Sequence, residues 1–303
     1  MKAAIYFNEL QPLLYGYYIC KGVIFLHRKI SAAVFTVLTA MFMCGCTSDK
    51  NSVGQSTEYN GRGGRTPAET AFLTDGKEKV CYGQGYETDS DNRPVGAIQA
   101  QEKYGSYGGR FIFGKDDKTI RLTFDEGYEN GCTGKILDIL KEKKVTATFY
   151  VTLDYVKSSP ELVQRMINEG HEVGNHSCTH PSLPDISDDM VFEEIQGLET
   201  YISDNFGGYK TVTMRPPRGE FSVRTLRIAK NMGYDTVLWS FAYNDWNTDA
   251  QPDRDTAYRR ITSATHNGAV YLLHAVSETN TAILPDVIDY WLDNGYTVKS
   301  ISG

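Results

Sequence analysis

The sequence has little of what would place it in several broad classes. Positive charge is not in excess: 31 Lys and Arg stand against 38 Asp and Glu, a formal net charge of −7. That balance argues against a nucleic-acid partner, which needs a basic face. Cysteine is scarce, at six residues, and no CxxC pair of the metal-binding kind occurs. No internal repeat is evident. No apolar run comfortably spans a bilayer, since residues 30–43 have only signal-peptide length. What is present is ordinary for a folded chain: 303 residues, 41% of them hydrophobic, enough for one large domain or two modest ones.

The N-terminus reads as a leader rather than as fold. His27-Arg28-Lys29 precedes the apolar stretch, which ends in Met43-Cys44-Gly45-Cys46. This resembles the lipobox of bacterial lipoproteins, with Cys46 as the acylated cysteine; a plain secretory signal or an uncleaved anchor are the alternatives. The resemblance implies an extracytoplasmic lipoprotein on the cell membrane, facing the wall. Residues 1–25 are too long and mixed to precede a signal, so translation is expected to begin near Val23 or Leu26. With residues 1–46 set aside as leader, Cys81, Cys132 and Cys178 remain, which allows at most one bridge. Residues 47–79 are polar and rich in Gly, Ser and Thr, the composition of a flexible tether. Aromatics return over 80–114 (Tyr82, Tyr86, Tyr104, Tyr107, Phe111, Phe113), so this extension is expected to pack on a domain spanning 80–303.

The domain is organised around residues 115–130. Thr119, Ile120, Leu122 and Phe124 have the texture of a buried strand, which stops at Asp125-Glu126-Gly127. A sheet interior would reject two adjacent acids. At a strand's carboxyl end in an α/β protein they stand where ligands bind, although an acidic turn has the same letters. Downstream, helix and strand patterns alternate. Thr133 is expected to cap a helix burying Ile136, Leu137 and Leu140, and four later helices close at Gly170, Gly233, Gly268 and Gly295 before a strand. About seven such units in some 190 residues predict a distorted (β/α)7 barrel, with a doubly wound open sheet as runner-up.

On the barrel reading each strand end delivers polar groups. After Asp125 and Glu126 come His176 and His180, whose i, i+4 spacing would put both imidazoles on one face of a helical turn, able to share a cation. Next come Arg215, suited to fixing a carboxylate, then Asp245-Trp246, then His274. Singly, each has a bland reading: chance spacing, a surface arginine, a satisfied core histidine. Five successive strand ends supplying groups for one reaction are harder to assign to chance.

In order, TFDEG (123–127), HSCTH (176–180), RPPRG (215–219), WSFAYNDW (239–246) and LLH (272–274) resemble the five motifs of the polysaccharide deacetylases. These are also called NodB-homology or carbohydrate esterase family 4 enzymes. FDEGYENG (124–131), RPPRG and YLLHAVS (271–277) are more similar still to the delta-lactam-biosynthetic de-N-acetylases, which act on N-acetylmuramic acid in spore-cortex peptidoglycan. The resemblance implies a glycan strand as substrate and Asp125 as general base, held by Arg215. It implies a divalent metal, Zn²⁺, on His176 and His180, and His274 as general acid oriented by Asp245. Trp246 and Leu272 would wall the acetyl pocket, with Tyr128 and Arg218 also on the substrate. Three positions depart from the wider family: Glu126 replaces the Asp that is the third metal ligand, Arg218 replaces Tyr, and Ala242 replaces an Asp. Glu remains a competent ligand. Arg218 suits the lactyl carboxylate of muramic acid better than a neutral chitin chain. The competing readings are an N-acetylglucosamine or chitin-type deacetylase and a catalytically silent wall-binding lipoprotein.

Overall fold

The structure, a computed structural model, describes residues 76–303. The expected leader (1–46), Cys46 within it and residues 47–75 of the expected tether lie outside the described residues. The last four tether residues are not a free linker. Gly76 O accepts from Arg224 N at 2.7 Å, and Lys79 Nζ pairs with Asp185 at 2.8 Å and Glu220 at 3.0 Å.

The central strand is β3 (Thr119–Glu126), in which Ile120, Leu122 and Phe124 are fully buried. These three alternate with Thr119, Arg121 and Thr123, and this period of two, rich in β-branched residues, is why the strand showed in the sequence. On one edge β3 pairs in parallel with β9 (Ala269–His274). On the other it pairs with β4 (Thr148–Val151) toward its end and β10 (Thr297–Lys299) at its start. The parallel ladder continues through β5 (Glu172–Asn175), β6 (Thr213–Met214) and β8 (Asp235–Val237). Past β8 the sheet curls back on itself: Phe241 bridges Tyr271 of β9, and Ser240 N and Phe241 N donate to Val270 O. This curled parallel sheet is the distorted (β/α)7 barrel, and the open doubly wound alternative is set aside.

The aromatic N-terminal segment packs on this sheet. β1 (Val80–Cys81) pairs antiparallel with β7 (Glu220–Phe221), and β2 (Gly109–Arg110) adds to β8 after α1 (Val95–Tyr104). Tyr104, Phe111, Phe221, Leu238, Trp239 and Leu272 form one buried cluster there.

Helices cover the outside: α2 (Thr133–Lys143), α3 (Leu153–Ser158), α4 (Pro160–Asn168), α5 (Asp188–Asn205), α6 (Val223–Asn231), α7 (Arg254–Ser263) and α8 (Glu278–Asp293). The apolar face of α8, with Val287, Ile288 and Trp291 fully buried, contributes about 1.5–3 kcal/mol per large side chain. The four glycines expected to close helices all have positive φ, between 69° and 93°, the left-handed turn that returns the chain to a strand. One expectation needs correcting, and one helix was not foreseen. Thr133 does not cap α2: Cys132 is the cap residue, without a side-chain bond, and the Thr133 hydroxyl turns to Glu126. Helix α3, at six residues, is too short for a 3.6-residue period to reveal. Cys81, Cys132 and Cys178 are all free thiols.

Candidate active site

The carboxyl ends of the strands ring one cavity of about 570 Å³, lined among others by Asp125, His176, His180, Arg218 and His274. Asp125 ends β3 and is held from β6: Arg215 Nη1 donates to Asp125 Oδ1 at 2.7 Å. Arg215 is itself fully buried, a costly place for a charge unless every donor is used. Its Nε donates to Val237 O at 3.0 Å, its Nη2 to Leu238 O at 3.2 Å, and its guanidinium lies 4.3 Å from the Tyr150 ring centroid. Burial alone would raise the Asp125 pKa. The Arg215 guanidinium foremost, with His176 and His274 beside it, outweighs it and holds the carboxyl below its ordinary value, so Asp125 is ionised at neutral pH.

His176 follows β5. Its Nδ1 lies 2.8 Å from Arg215 O, and a carbonyl only accepts, so Nδ1 carries the proton. That assigns the lone pair to Nε2, 3.6 Å from Asp125 Oδ2. The ring centroids of His176 and His180 are 4.9 Å apart. The pair meets, but not on the expected helical turn. Residues 176–180 are an irregular loop in which Ser177 and His180 take φ values of 69° and 58°. Asn175 Oδ1 accepts from Ser177 N, Ser177 Oγ accepts from His180 N, and Glu194 accepts from Thr179, which together fix this strained shape. Burial lowers both imidazole pKa values, His180 to about 4, so both are in the neutral form that binds metals.

Glu126, expected as the third ligand, does not join them. It is fully buried, away from the cavity lining, and bonded to Thr133 Oγ1 at 3.3 and 3.4 Å. Successive strand side chains face opposite sides, so Asp125 and Glu126 cannot both turn inward without breaking the strand. Burial, then the neighbouring Glu129, pushes the Glu126 pKa well above the carboxylate range. Among the described residues no three His, Cys, Asp or Glu side chains make a ready-built metal cage. The donors on offer are two neutral imidazoles with the Asp125 carboxylate alongside. A histidine whose Nδ1–H is fixed by a carbonyl has the outer-shell arrangement of a metal ligand. The set therefore fits a divalent cation with few protein ligands and open positions.

Beside Asp125, on the neighbouring strand, β9 ends in His274. Its Nδ1 lies 2.7 Å from Asp245 Oδ1, and its backbone N donates to Asp245 Oδ2 at 2.9 Å. Asn280 Nδ2 donates to the same Oδ2 at 2.5 Å, and Asn280 Oδ1 accepts from the Tyr243 hydroxyl. Burial would lower the His274 pKa, but the Asp245 hydrogen bond and charge dominate and raise it, so the imidazole holds a proton to higher pH. Asn280 and Tyr243 were not singled out in the sequence. No local signal marked them: Asn280 sits in a polar first turn, Glu278-Thr279-Asn280-Thr281, where such a residue is ordinary.

The mouth carries Tyr128, Trp246 and Arg218, all exposed, with the Trp246 ring 5.8 Å from His274. Arg218 stands at φ 60° and its Nη2 donates to His180 O at 3.4 Å. Leu272, Trp239 and Gly219 wall an apolar corner deeper in. The latter two are further residues that motif reading passed over.

A carboxylate and a carboxylate-paired imidazole on neighbouring strand ends, with two further imidazoles alongside, stand at the carboxyl rim of a curled parallel barrel, the arrangement of an amidohydrolase of the polysaccharide deacetylase class. The chain belongs to that family, the family 4 carbohydrate esterases. The polysaccharide deacetylase profile matches residues 114–237. The peptidoglycan-N-acetylmuramic acid deacetylase PdaA of Bacillus subtilis is 43% identical over 200 residues, 66% of this chain and 75% of that protein. An uncharacterized 30.6 kDa protein of Geobacillus stearothermophilus is 42% identical over 218 residues, 72% of this chain and 82% of its own. The solved structure of Bacillus subtilis PdaA superposes with a TM-score of 0.71 at 39% identity, covering 75% of this chain and 96% of that one.

Proposed function

We propose that this enzyme removes the acetyl group from N-acetylmuramic acid in peptidoglycan, leaving a free amine that can close on the lactyl carboxyl as a delta-lactam. The observation that carries this reading is the position of Arg218. It is a fixed cation at the mouth of a cavity whose chemistry is amide hydrolysis. N-acetylmuramic acid differs from N-acetylglucosamine by its lactyl carboxylate, and a guanidinium recognises a carboxylate by paired hydrogen bonds. The 43% identity to a protein named for that substrate points the same way.

His176 and His180 would hold a divalent cation, Zn²⁺. When bound, it supplies Lewis-acid polarisation of the acetamide oxygen and the attacking water. Asp125 takes a proton from that water as the new C–O bond forms, and Arg215 keeps its carboxylate aimed and ionised. His274, charged because Asp245 faces its Nδ1, gives the Nε2 proton to the amine nitrogen as the C–N bond breaks. Acetate and the amino sugar leave, and water supplies the oxygen and both hydrogens. Trp246, Leu272 and Tyr128 enclose the sugar and its acyl group. The lipobox-like residues 43–46 support an extracytoplasmic, membrane-anchored location through Cys46.

Acetate released from peptide-free peptidoglycan glycan, compared with that from chitooligosaccharide, tests the reading. Preference for the muramic-acid substrate, lost in Arg218→Tyr, is expected. Reaction with chitooligosaccharide alone would assign the chitin-type activity instead.

A further inference from the structure

The N-terminal extension reaches the cavity wall, and the proposed chemistry does not use it. Beside β7 the ladder of β1 continues into Tyr82, whose N donates to Gly219 O at 3.1 Å. Tyr82 Oη donates to Trp239 O at 2.7 Å, and its ring meets the indole edge-on with centroids 5.4 Å apart. Gln84 then fastens the same segment twice. Its Oε1 accepts from Trp239 Nε1 at 2.9 Å, and its Nε2 donates to Ala242 O at 2.9 Å. An indole nitrogen only donates, so this orientation of the amide is the one that satisfies both bonds.

Trp239 needs such a fastening. It lies where the chain has left β8 at Val237 and has not yet bridged to β9 at Phe241. A buried indole N–H requires an acceptor, and here the acceptor comes from 155 residues away. The ring forms the apolar corner of the cavity with Leu272 and Gly219. There is no slack on the Gly219 side: a Cβ there would come within 2.6 Å of Trp239 Cη2, and its φ of 67° already favours glycine. Arg215 also flanks the indole, its guanidinium carbon 5.9 Å from the ring centroid.

We infer that Gln84 is a positioning residue: it holds Trp239 against Gly219 and so sets the width of the corner that receives the acyl methyl group, selecting acetamides over longer acylamides. This rests on the deacetylase reading above. The extension is then part of the specificity apparatus, and an extra methylene on the acyl group would press on an indole that cannot retreat toward Gly219.

The test compares kcat/KM for N-acetyl and N-propionyl forms of one amino-sugar oligomer, using full-length enzyme loaded with Zn²⁺. One methylene in a close-fitting pocket is worth roughly 10–200-fold. Gln84→Met removes both hydrogen bonds at similar volume and should cut the acetyl preference about tenfold, mainly through a lower KM for the propionyl substrate. Gln84→Glu keeps an acceptor for the indole and should retain most of the preference. A second readout does not depend on turnover: the hydrogen exchange of the Trp239 indole N–H, identified by its loss in Trp239→Phe, should accelerate in Gln84→Met. An unchanged acetyl preference, a proportional loss on both amides, or unchanged indole exchange overturns the inference. Wild-type silence toward both amides would sink the deacetylase reading and the selectivity with it. Faster exchange in that case would still locate the fastening at Gln84, so the two failures are distinguishable.

Discussion

Asp245→Asn, paired with Asn280→Ala, probes the acid side of the reaction from two directions. Asp245 is buried and its two oxygens accept three hydrogen bonds: from His274 Nδ1, from His274 N and from Asn280 Nδ2. An opposite charge this close typically moves a pKa by about 1–3 units, so the neutral amide should lower that of His274 by about this much. Each unit corresponds to about 1.36 kcal/mol and a tenfold smaller protonated fraction above the new value. The alkaline limb of the kcat/KM–pH profile should therefore move to lower pH by about 1–3 units. Asn280→Ala has the opposite sign. With one donor removed from Oδ2, the carboxylate is less satisfied and holds the imidazolium more strongly, so the limb should move to higher pH by less than about one unit. Stability follows the same linkage. The folded His274 pKa is raised, so the pair's contribution is complete below the unfolded value of about 6.5. It fades as pH rises through the folded value, and urea titrations across that window should show the fade in wild type but not in Asp245→Asn. Asp245→Asn also sets an amide donor against an existing donor, costing about 1–3 kcal/mol, so its folding must be checked by the same titration. Limbs that move in the same direction, or not at all, would refute the assignment of His274 as general acid.

Two further outcomes follow from the same geometry and a third from the leader sequence. Glu126→Gln should leave Zn²⁺ affinity measured by calorimetry within about twofold of wild type, whereas a lost ligand or outer-shell partner typically costs about 10–100-fold. Arg215→Met removes one partner of a buried pair and should destabilise by about 3–5 kcal/mol in denaturant titration, with acetate release nearly abolished. Cys46→Ala should abolish incorporation of labelled fatty acid in cells; continued labelling would end the lipid-anchor proposal.

Some of this was legible in the letters because burial and chemistry change abruptly at a strand end. Ile120, Leu122 and Phe124 are fully buried, and the next polar residue, Asp125, enters the cavity, so the break in composition marks the rim. The glycines after the helices were legible for a similarly local reason, since positive φ is cheap only for glycine. Facing was not legible. Asp125 and Glu126 are both acids at one strand end, and only the pleat decides which turns inward. The spacing of His176 and His180 is the same on a helical turn as in the loop that holds them, because separation in sequence does not specify backbone shape. Partnerships across the chain were also hidden: Arg215 with the carbonyls of Val237 and Leu238, Asn280 with Asp245, Gln84 with Trp239. Each depends on which strand lies beside which, and no local pattern encodes that.

The most direct measurement is mass spectrometry of purified peptidoglycan glycan after digestion with the Zn²⁺-loaded enzyme and with Asp125→Ala. The account predicts loss of acetyl groups from muramic acid residues with wild type and none with the variant. Acetyl loss confined to glucosamine residues, or equal loss with Asp125→Ala, would contradict it.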